Sequence, residues 1–238
     1  AVLIYGIPFL DKNQFQTIQM GDESVINNKK LHTIVGAGTG LGISRGLINS
    51  DIVEVLSSEG GHIEFAPKTQ KEWELKVWLK DFLNLERISY ERIISGEGLC
   101  NIAKWRFSYP DAMNHSFQKI LNESKTSKKT QKKLASEICK FSGKGDSLLR
   151  EIENIWLSNY ASYLGDVALH ELCFGGLWIS GGTAPKHFKN FKSDSFLKHF
   201  SDKGRYKDIL KSIPVKVILD EEFGLFSAAC RAKMLLKT

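Results

Sequence analysis

The sequence feature that most constrains this chain is a glycine-rich stretch, Val35-Gly36-Ala37-Gly38-Thr39-Gly40-Leu41-Gly42. Residues 31–36, which lead into this stretch and include its first two residues, are largely apolar with little alternation, as expected for a strand that is covered on both faces. Glycines at this density allow a backbone to turn sharply and to approach a ligand closely. Backbone N–H groups in such a turn, together with the Thr39 hydroxyl, can bind an anion. The stretch therefore predicts a phosphate site, with a tight hairpin of no functional role as the alternative.

Two common nucleotide-binding motifs do not fit this turn. A P-loop needs a lysine before the threonine, and none is present. A Rossmann fingerprint needs a glycine where Ile43 stands, and the residues that follow predict a strand instead of a helix. The turn is therefore predicted to join the first two strands of an antiparallel meander. Its strands are predicted over 31–36, 43–49 and 52–56, the last continuing at 63–65.

A carboxylate and an imidazole flank a second glycine pair, at Glu59-Gly60-Gly61-His62. We expect a β-bulge here, because glycines inside a strand often mark a bulge that redirects neighbouring side chains. The two polar groups would suit a ligand rich in hydroxyls. Glu91 lies just before a predicted helix start at Ser95-Gly96. It could join the same site or form an ion pair with Arg92 or another neighbour.

The remainder of the chain predicts helices mixed with short strands. Thr69 and Glu72 form a capping box, and the helix after it carries Trp73, Val77, Trp78, Phe82 and Leu83 on one face, which we predict to pack in the core. Ala1–Ile26 is predicted as the end of a helix, a turn and a polar loop. Later elements are helices over 128–141 and 147–173, a strand within 175–182, a strand over 213–219 and a terminal helix. This order is typical of an α/β layered domain.

Composition narrows the class of function. The net charge of +6 arises largely from lysines between 125 and 144, where no aromatic residue precedes Phe141. That segment is predicted to be a solvated helical face and not a nucleic-acid platform. Four cysteines without metal-ligand spacing predict reduced core thiols in a cytosolic protein, and no apolar run is long enough to span a membrane.

Several separated motifs together resemble the bacterial-type glucokinases, in the same order along the chain. The matching stretches are 35–42, Glu59-Gly60-Gly61-His62-Ile63-Glu64-Phe65-Ala66-Pro67, 91–99, Gly175-Gly176-Leu177-Trp178-Ile179-Ser180-Gly181-Gly182 and 200–206 with 213–215. The resemblance implies an α/β, actin-like and ribonuclease H-like ATPase domain. It would have a mixed sheet with an antiparallel three-strand meander and helices on both faces. Residues 1–30 would be a remnant of the small lobe and linker, and 31–238 the large domain, whose terminal helix could pack back on the small lobe.

The resemblance further implies ATP-dependent phosphorylation of glucose at its 6-hydroxyl, with Mg2+, in a cytoplasmic homodimer. By motif, Glu59, His62 and Glu91 would hydrogen-bond the sugar. The phosphate turn would comprise Gly36, Gly38, Thr39 and Gly40, and the adenosine motif would contain Gly181 and Gly182. Positioning of this kind dominates phosphoryl transfer.

Two parts of the family pattern have no counterpart in the matched segments. The first phosphate loop, of D-x-G-G-T type, and the Asp that takes the 6-hydroxyl proton both precede them in the family. Asp11 stands in the wrong context for that role. The chain also opens on an apolar run, Ala1-Val2-Leu3-Ile4-Tyr5-Gly6, which is typical of the middle of a buried element. We therefore expect a chain truncated at its amino terminus that is inactive alone.

Alternative functions remain open at this point. A non-catalytic sugar or nucleotide sensor would keep the same binding residues, and a kinase for another hexose would need similar hydroxyl partners. A sugar-responsive repressor is disfavoured because the clustered Cys/His zinc motif of the related repressor family is absent. A nucleic-acid-binding protein is suggested only by charge.

Overall fold

The computed structural model describes residues 1–22, 24, 31–49, 53–123 and 128–236, with side chains described for all of these except 128–132. The chain forms two compact units. We call residues 1–38, 42–60 and 161–238 the sheet unit, and residues 39–41 and 61–160 the helical unit. The chain passes between them within the glycine-rich turn, at the Gly60-Gly61 pair and inside a long helix.

A six-stranded mixed sheet forms the centre of the sheet unit. Its strands are β1 (Phe15–Gln19), β2 (Leu31–Ala37), β3 (Leu41–Ile48), β4 (Val53–Ser58), β5 (Gly176–Ser180) and β6 (Val215–Ile218). Their order is β1-β6-β5-β2-β3-β4. Strand β5 runs parallel to β2 and β6, whereas β1 is antiparallel to β6 and β4 to β3. The predicted mixed sheet is confirmed, with the three strands of the expected meander as neighbours.

One face of the sheet is covered by the two ends of the described chain. Ile34 and Trp178 on neighbouring strands pack against Ile4 of a 3-10 helix, Val2–Phe9, and against Phe223. Phe223 begins the terminal helix. A Cβ on Gly6 of the 3-10 helix would lie 2.2 Å from the Ser227 Oγ, so the missing side chain allows close packing there. Apolar burial of this kind is the main source of stability in a sheet-and-helix layer.

Helices make up much of the rest of the described chain. They are α1 (Gln70–Leu83), α2 (Glu91–Ile94), α3 (Gly96–Arg106), α4 (Gln118–Glu123), α5 (Lys128–Gly143), α6 (Ser147–Glu171), α7 (Phe188–Phe191), α8 (Asp194–Ser201), α9 (Lys207–Ser212) and α10 (Phe223–Leu235). The capping box of α1 is confirmed, because the Thr69 Oγ1 accepts the Glu72 N–H and the Glu72 carboxylate accepts the Thr69 N–H. Across the described ranges, no helix has both the length and the apolar character of a membrane span.

The predicted polar loop near the amino terminus is wrong over Phe15–Gln19, which forms strand β1 at the edge of the sheet. An edge strand tolerates polar residues because only one side of its backbone is paired, so its sequence carries little apolar signal. Phe15 packs edge-on against Trp178, with ring centroids 5.2 Å apart. The sequence also predicts a turn at Asn27-Asn28-Lys29-Lys30, and these residues lie outside the described ranges.

The predicted third strand is correct only in its first part. Strand β4 ends at Ser58, and Gly60–His62 forms a single 3-10 turn where a β-bulge was expected. Of residues 63–65, Glu64 makes only an isolated bridge to Ser89. The sequence predicts an extended or irregular segment over 88–94, but Glu91–Ile94 within it forms the short helix α2. The glycine pair thus ends the strand.

The predicted core face of α1 is also wrong. Trp73 is 54% exposed and Val77 45%, whereas Leu75 and Leu79 are fully buried. The helix carries two apolar stripes, and periodicity alone does not say which of them faces the core. The tryptophan stripe lines an open groove on the surface of the helical unit together with Trp105 of α3.

Candidate active site

The adenosine motif and the start of the phosphate turn meet in the sheet unit. Strands β2 and β5 are parallel, with Gly36 opposite Ser180. Their carboxyl ends therefore lie side by side at the same end of the sheet. Just beyond β5, Gly181 has a φ of +91°, and a Cβ on it would lie 2.4 Å from the Ala37 carbonyl oxygen. The turn after β5 therefore lies directly against the end of β2, which requires glycine at this position.

Thr183 fixes this contact by hydrogen bonds. Its backbone N–H donates to the Ala37 carbonyl oxygen at 3.3 Å, and its hydroxyl donates to the same oxygen at 2.9 Å. A Cβ built on Gly38 or on Gly182 would meet nothing within 4 Å. The backbone beside both residues is therefore accessible to a ligand. This arrangement suits a nucleotide, whose phosphates and ribose need close approach to backbone N–H groups.

The end of the phosphate turn meets Glu91 in the helical unit. The Leu41 N–H donates to Glu91 Oε2 at 2.9 Å. A Cβ on Gly40 would lie 2.6 Å from the same oxygen, so glycine is needed for this approach. The structure thus brings together Gly40 and Glu91, which the sequence assigned to different parts of the site. The alternative partner for Glu91 is not used, because Arg92 forms its ion pair with Glu97, at 2.6 Å.

The glycine pair also contacts Leu41. A Cβ on Gly61 would lie 2.2 Å from the Leu41 carbonyl oxygen, which places the 3-10 turn against the start of β3. The carbonyl oxygen of His62 accepts a hydrogen bond from Arg87 at 2.7 Å. Within the sheet unit, Tyr163 donates its hydroxyl to the Gly60 carbonyl oxygen at 2.8 Å. The short turn is therefore held at both of its ends.

The remaining predicted residues have side chains that solvent can reach. Thr39, Glu59 and His62 are exposed, with Glu59 immediately after β4, and Glu91 is half-buried. The structure describes Glu59 within the sheet unit, and His62 and Glu91 within the helical unit. Exposed or half-buried polar groups beside glycines remain able to bind a polar ligand.

Sequence analysis missed the residues that support Glu91. Ser95 caps α3 by accepting the Gly98 N–H at 3.0 Å, and its hydroxyl donates to the Glu91 carbonyl oxygen at 2.6 Å. The Nε1–H of the buried Trp156 donates to the Ser95 carbonyl oxygen at 3.1 Å. The Ser95-Gly96-x-Gly98 spacing is the sequence signal for this support, although by itself it predicts only a helix start. The two short helices around Ser95 therefore hold Glu91 rigidly.

The cysteines behave partly as predicted. Cys100 and Cys173 are free and fully buried, and burial raises the pKa of each thiol to about 12. Cys139 and Cys230 are half-buried. The two core thiols are therefore protonated and unreactive at neutral pH, which suits a structural role.

Comparison with known proteins shows which family this sequence matches. The family model described as Glucokinase matches residues 1–235. A glucokinase from Synechocystis sp. (strain ATCC 27184 / PCC 6803 / Kazusa) is 35% identical over 243 residues, covering 98% of this chain and 67% of the relative. The solved glucokinase from an Antarctic psychrotroph superposes with a TM-score of 0.73 at 26% identity, covering 97% of this chain and 65% of that one.

Two solved structures with bound ligands share the fold at lower identity. A glucokinase from Balamuthia mandrillaris in complex with glucose has a TM-score of 0.75 at 18% identity, covering 98% of this chain and 63% of that one. A ROK family glucokinase from Streptomyces griseus, in complex with glucose and AMPPNP, has a TM-score of 0.54 at 20% identity, covering 87% and 62%. The chain spans about two thirds of the length of these relatives.

The chain has the actin-like ATPase fold, which the sugar kinases among its structural neighbours share. Within that class, the chain belongs to the glucokinase family.

Proposed function

We propose that the protein phosphorylates glucose at its 6-hydroxyl with ATP, giving glucose 6-phosphate. The single observation that carries this proposal is the contact of Glu91 with the end of the glycine-rich turn, where Leu41 N lies 2.9 Å from the carboxylate. A carboxylate assigned to the sugar and a turn assigned to phosphate are thereby adjacent. Phosphoryl transfer requires such adjacency, because its rate depends mainly on positioning the acceptor and the transferred group.

The proposed roles follow the two halves of the site. Glu59, His62 and Glu91 would accept or donate hydrogen bonds to the sugar hydroxyls. The phosphates of ATP would be held by Gly36, Gly38, Thr39 and Gly40, and the adenosine would lie against Gly181 and Gly182. The close approach of Gly181 to Ala37 leaves a surface without side chains beside this turn, which fits a nucleotide.

Mg2+ would accompany ATP and neutralise charge on its phosphates during transfer. We assign no side chain of this chain to it. The Balamuthia mandrillaris glucokinase in complex with glucose, and the Streptomyces griseus glucokinase in complex with glucose and AMPPNP, support glucose and a nucleoside triphosphate as ligands here. A cytoplasmic location and a homodimer are proposed from the family alone. Light scattering on the purified protein tests the second of these.

The general base is not assigned to any residue of this chain. The 238-residue chain is therefore proposed to bind glucose and ATP without turning glucose over, and an extended chain that includes the family's upstream Asp is proposed to be active. Glucose 6-phosphate formation by each protein measures this directly. Sustained turnover by the 238-residue chain alone would contradict the proposal.

Replacement of Glu59 tests the sugar site. The Glu59→Gln variant removes one negative charge with almost no change in shape, so glucose affinity should fall by about 10-fold or more, as expected for loss of a charged hydrogen-bond acceptor. Titration calorimetry with glucose measures this on the 238-residue chain. Glu54→Gln, at an exposed position on β4, is the matched control.

The competing functions give different outcomes in the same assays. An unchanged glucose affinity in Glu59→Gln would remove this residue from the site. A sensor would bind glucose and AMPPNP, yet the extended chain would form no product. A kinase for another hexose would bind mannose or an N-acetylated sugar more tightly than glucose.

A further inference from the structure

We propose that Glu91 is also a positioning residue, which couples glucose binding to nucleotide binding through its hydrogen bond to the Leu41 N–H. This inference rests on the proposed function, since it assigns a second role to a residue of the same site. Its basis is the geometry of the helical unit, where one carboxylate contacts the exit of the phosphate turn. The sugar and the phosphates would then be sensed by the same side chain.

The two oxygens of the Glu91 carboxylate have different surroundings. Oε2 accepts the Leu41 N–H at 2.9 Å and lies where a Cβ of Gly40 would be only 2.6 Å away. Among the residues that the structure describes, Oε1 has no hydrogen-bond partner. A charged acceptor makes a stronger hydrogen bond than a neutral one. One oxygen therefore fixes the backbone while the other is available to a sugar hydroxyl.

Leu41 is restrained on its opposite side as well. Gly61 packs so closely against the Leu41 carbonyl oxygen that a Cβ there would lie 2.2 Å from it. The Leu41 side chain is itself only 5% exposed. A displacement of Glu91 or of the Gly61 turn therefore cannot be absorbed by free movement of Leu41. Such a displacement must therefore move the adjoining residues of the phosphate turn, Thr39 and Gly40.

Glu91 is itself held by a rigid support. The Ser95 hydroxyl donates to its carbonyl oxygen at 2.6 Å, and a Cβ on Gly98 would lie 2.3 Å from the Ile93 carbonyl oxygen. Arg92 is engaged by Glu97. The carboxylate is thus presented from a short helix with fixed neighbours. A sugar hydroxyl bound to Oε1 would fix the whole carboxylate, including Oε2 and its hydrogen bond to the Leu41 N–H. Fixing this hydrogen bond would favour the conformation of the turn that binds phosphate.

Binding linkage provides the first test. The Kd of AMPPNP is measured by calorimetry on the 238-residue chain with and without saturating glucose, and the Kd of glucose with and without AMPPNP. Each ligand should tighten the other by the same factor, about 10-fold, because coupling is reciprocal. In Gly40→Ala the added Cβ displaces the carboxylate, and the factor should fall below about 2-fold. Gly42→Ala, whose Cβ would meet nothing within 4 Å, should keep the wild-type factor.

Replacement of Glu91 separates the positioning role from the sugar contact. Glu91→Gln keeps a carbonyl oxygen that can accept the Leu41 N–H, so it should retain coupling while glucose affinity falls. Glu91→Ala should lose both. Amide hydrogen exchange gives a readout without ligand, because the Leu41 N–H should exchange at least about 10-fold faster in Glu91→Ala and near the wild-type rate in Glu91→Gln.

These measurements distinguish a failure of the proposed function from a failure of the proposed coupling through Glu91. If the wild-type chain binds neither glucose nor AMPPNP, the proposed function fails and this inference fails with it. If the wild type binds both, but Gly40→Ala and Glu91→Ala leave the coupling factor unchanged, the inference is overturned and the proposed function stands. Equal Leu41 exchange in the wild type and in Glu91→Ala would also overturn it, even if Gly40→Ala does not fold.

Discussion

Gly181 offers a sharp test of how the nucleotide half of the site is built. The residue has a φ of +91°, and a Cβ would lie 2.4, 2.8 and 2.9 Å from the carbonyl oxygen, carbonyl carbon and nitrogen of Ala37. In Gly181→Ala the positive φ costs about 1–2 kcal/mol. The clash is with strand backbone, which cannot rotate away, and such overpacking costs about 1–3 kcal/mol more.

The expected loss of unfolding free energy is therefore about 2–5 kcal/mol. For a chain of this size, that corresponds to a Tm lower by about 4–20 °C. Far-UV circular dichroism during heating measures the change, and calorimetry with AMPPNP reports whether the turn still binds nucleotide. Affinity for AMPPNP should fall, because relief of the clash separates the turn after β5 from the end of β2.

Gly182→Ala is the matched control one residue away. A Cβ there meets nothing within 4 Å, and the backbone does not have a positive φ. Its Tm should stay within about 2 °C of the wild type, because no clash arises and the replacement of glycine by alanine lowers the conformational entropy of the unfolded chain. Equal Tm values for the two variants would refute the close approach of Gly181 to Ala37.

Two further predictions concern stability. Burial, and then the charge of Lys216, lower the pKa of His32 from 6.5 to about 4, and its Nδ1 accepts the Trp178 Nε1–H at 3.1 Å. Between these pH values the unfolded chain binds more protons, so stability should fall by about 3 kcal/mol as pH drops from 6.5 to 4. Urea unfolding at pH 6.5 and 4 measures this, and an equal fall in His32→Gln would contradict it. Trp156→Phe should cost about 1–3 kcal/mol, because it removes the hydrogen bond to the Ser95 carbonyl oxygen, which keeps only the Leu99 N–H, and leaves a cavity beside the smaller ring. Trp73→Phe, at a 54% exposed position, should cost less than about 0.5 kcal/mol. Equal unfolding midpoints in urea would exclude this difference.

The parts of the fold that the sequence predicted well are those with strong local signals. The glycine-rich turn between two apolar segments identified β2 and β3, and the Thr69 and Glu72 pair identified the start of α1. Strand β1 was missed because an edge strand needs few apolar residues. The exposed face of α1 was missed because Trp73 and Leu75 lie on two stripes of similar apolar character.

The sequence predicted the separate motifs of the candidate site but not the contacts between them. Motifs grouped Glu91 with the sugar and Gly40 with the phosphate, but their contact joins positions 50 residues apart in the chain, at Leu41 and Glu91. No local pattern encodes such a contact, which depends on how α2 is placed against the start of β3. The glycine at position 61 was likewise interpreted as a bulge, although its role is to pack against the Leu41 carbonyl oxygen.

The most direct test of the central claim is a crystal structure of this chain with glucose and AMPPNP bound. We expect hydrogen bonds from the sugar oxygens to Glu59, His62 and Glu91, and the terminal phosphate beside Thr39 and Gly40. Glucose bound elsewhere, with these three side chains uncontacted, would contradict the proposed sugar site and with it the account of the protein as a glucose kinase.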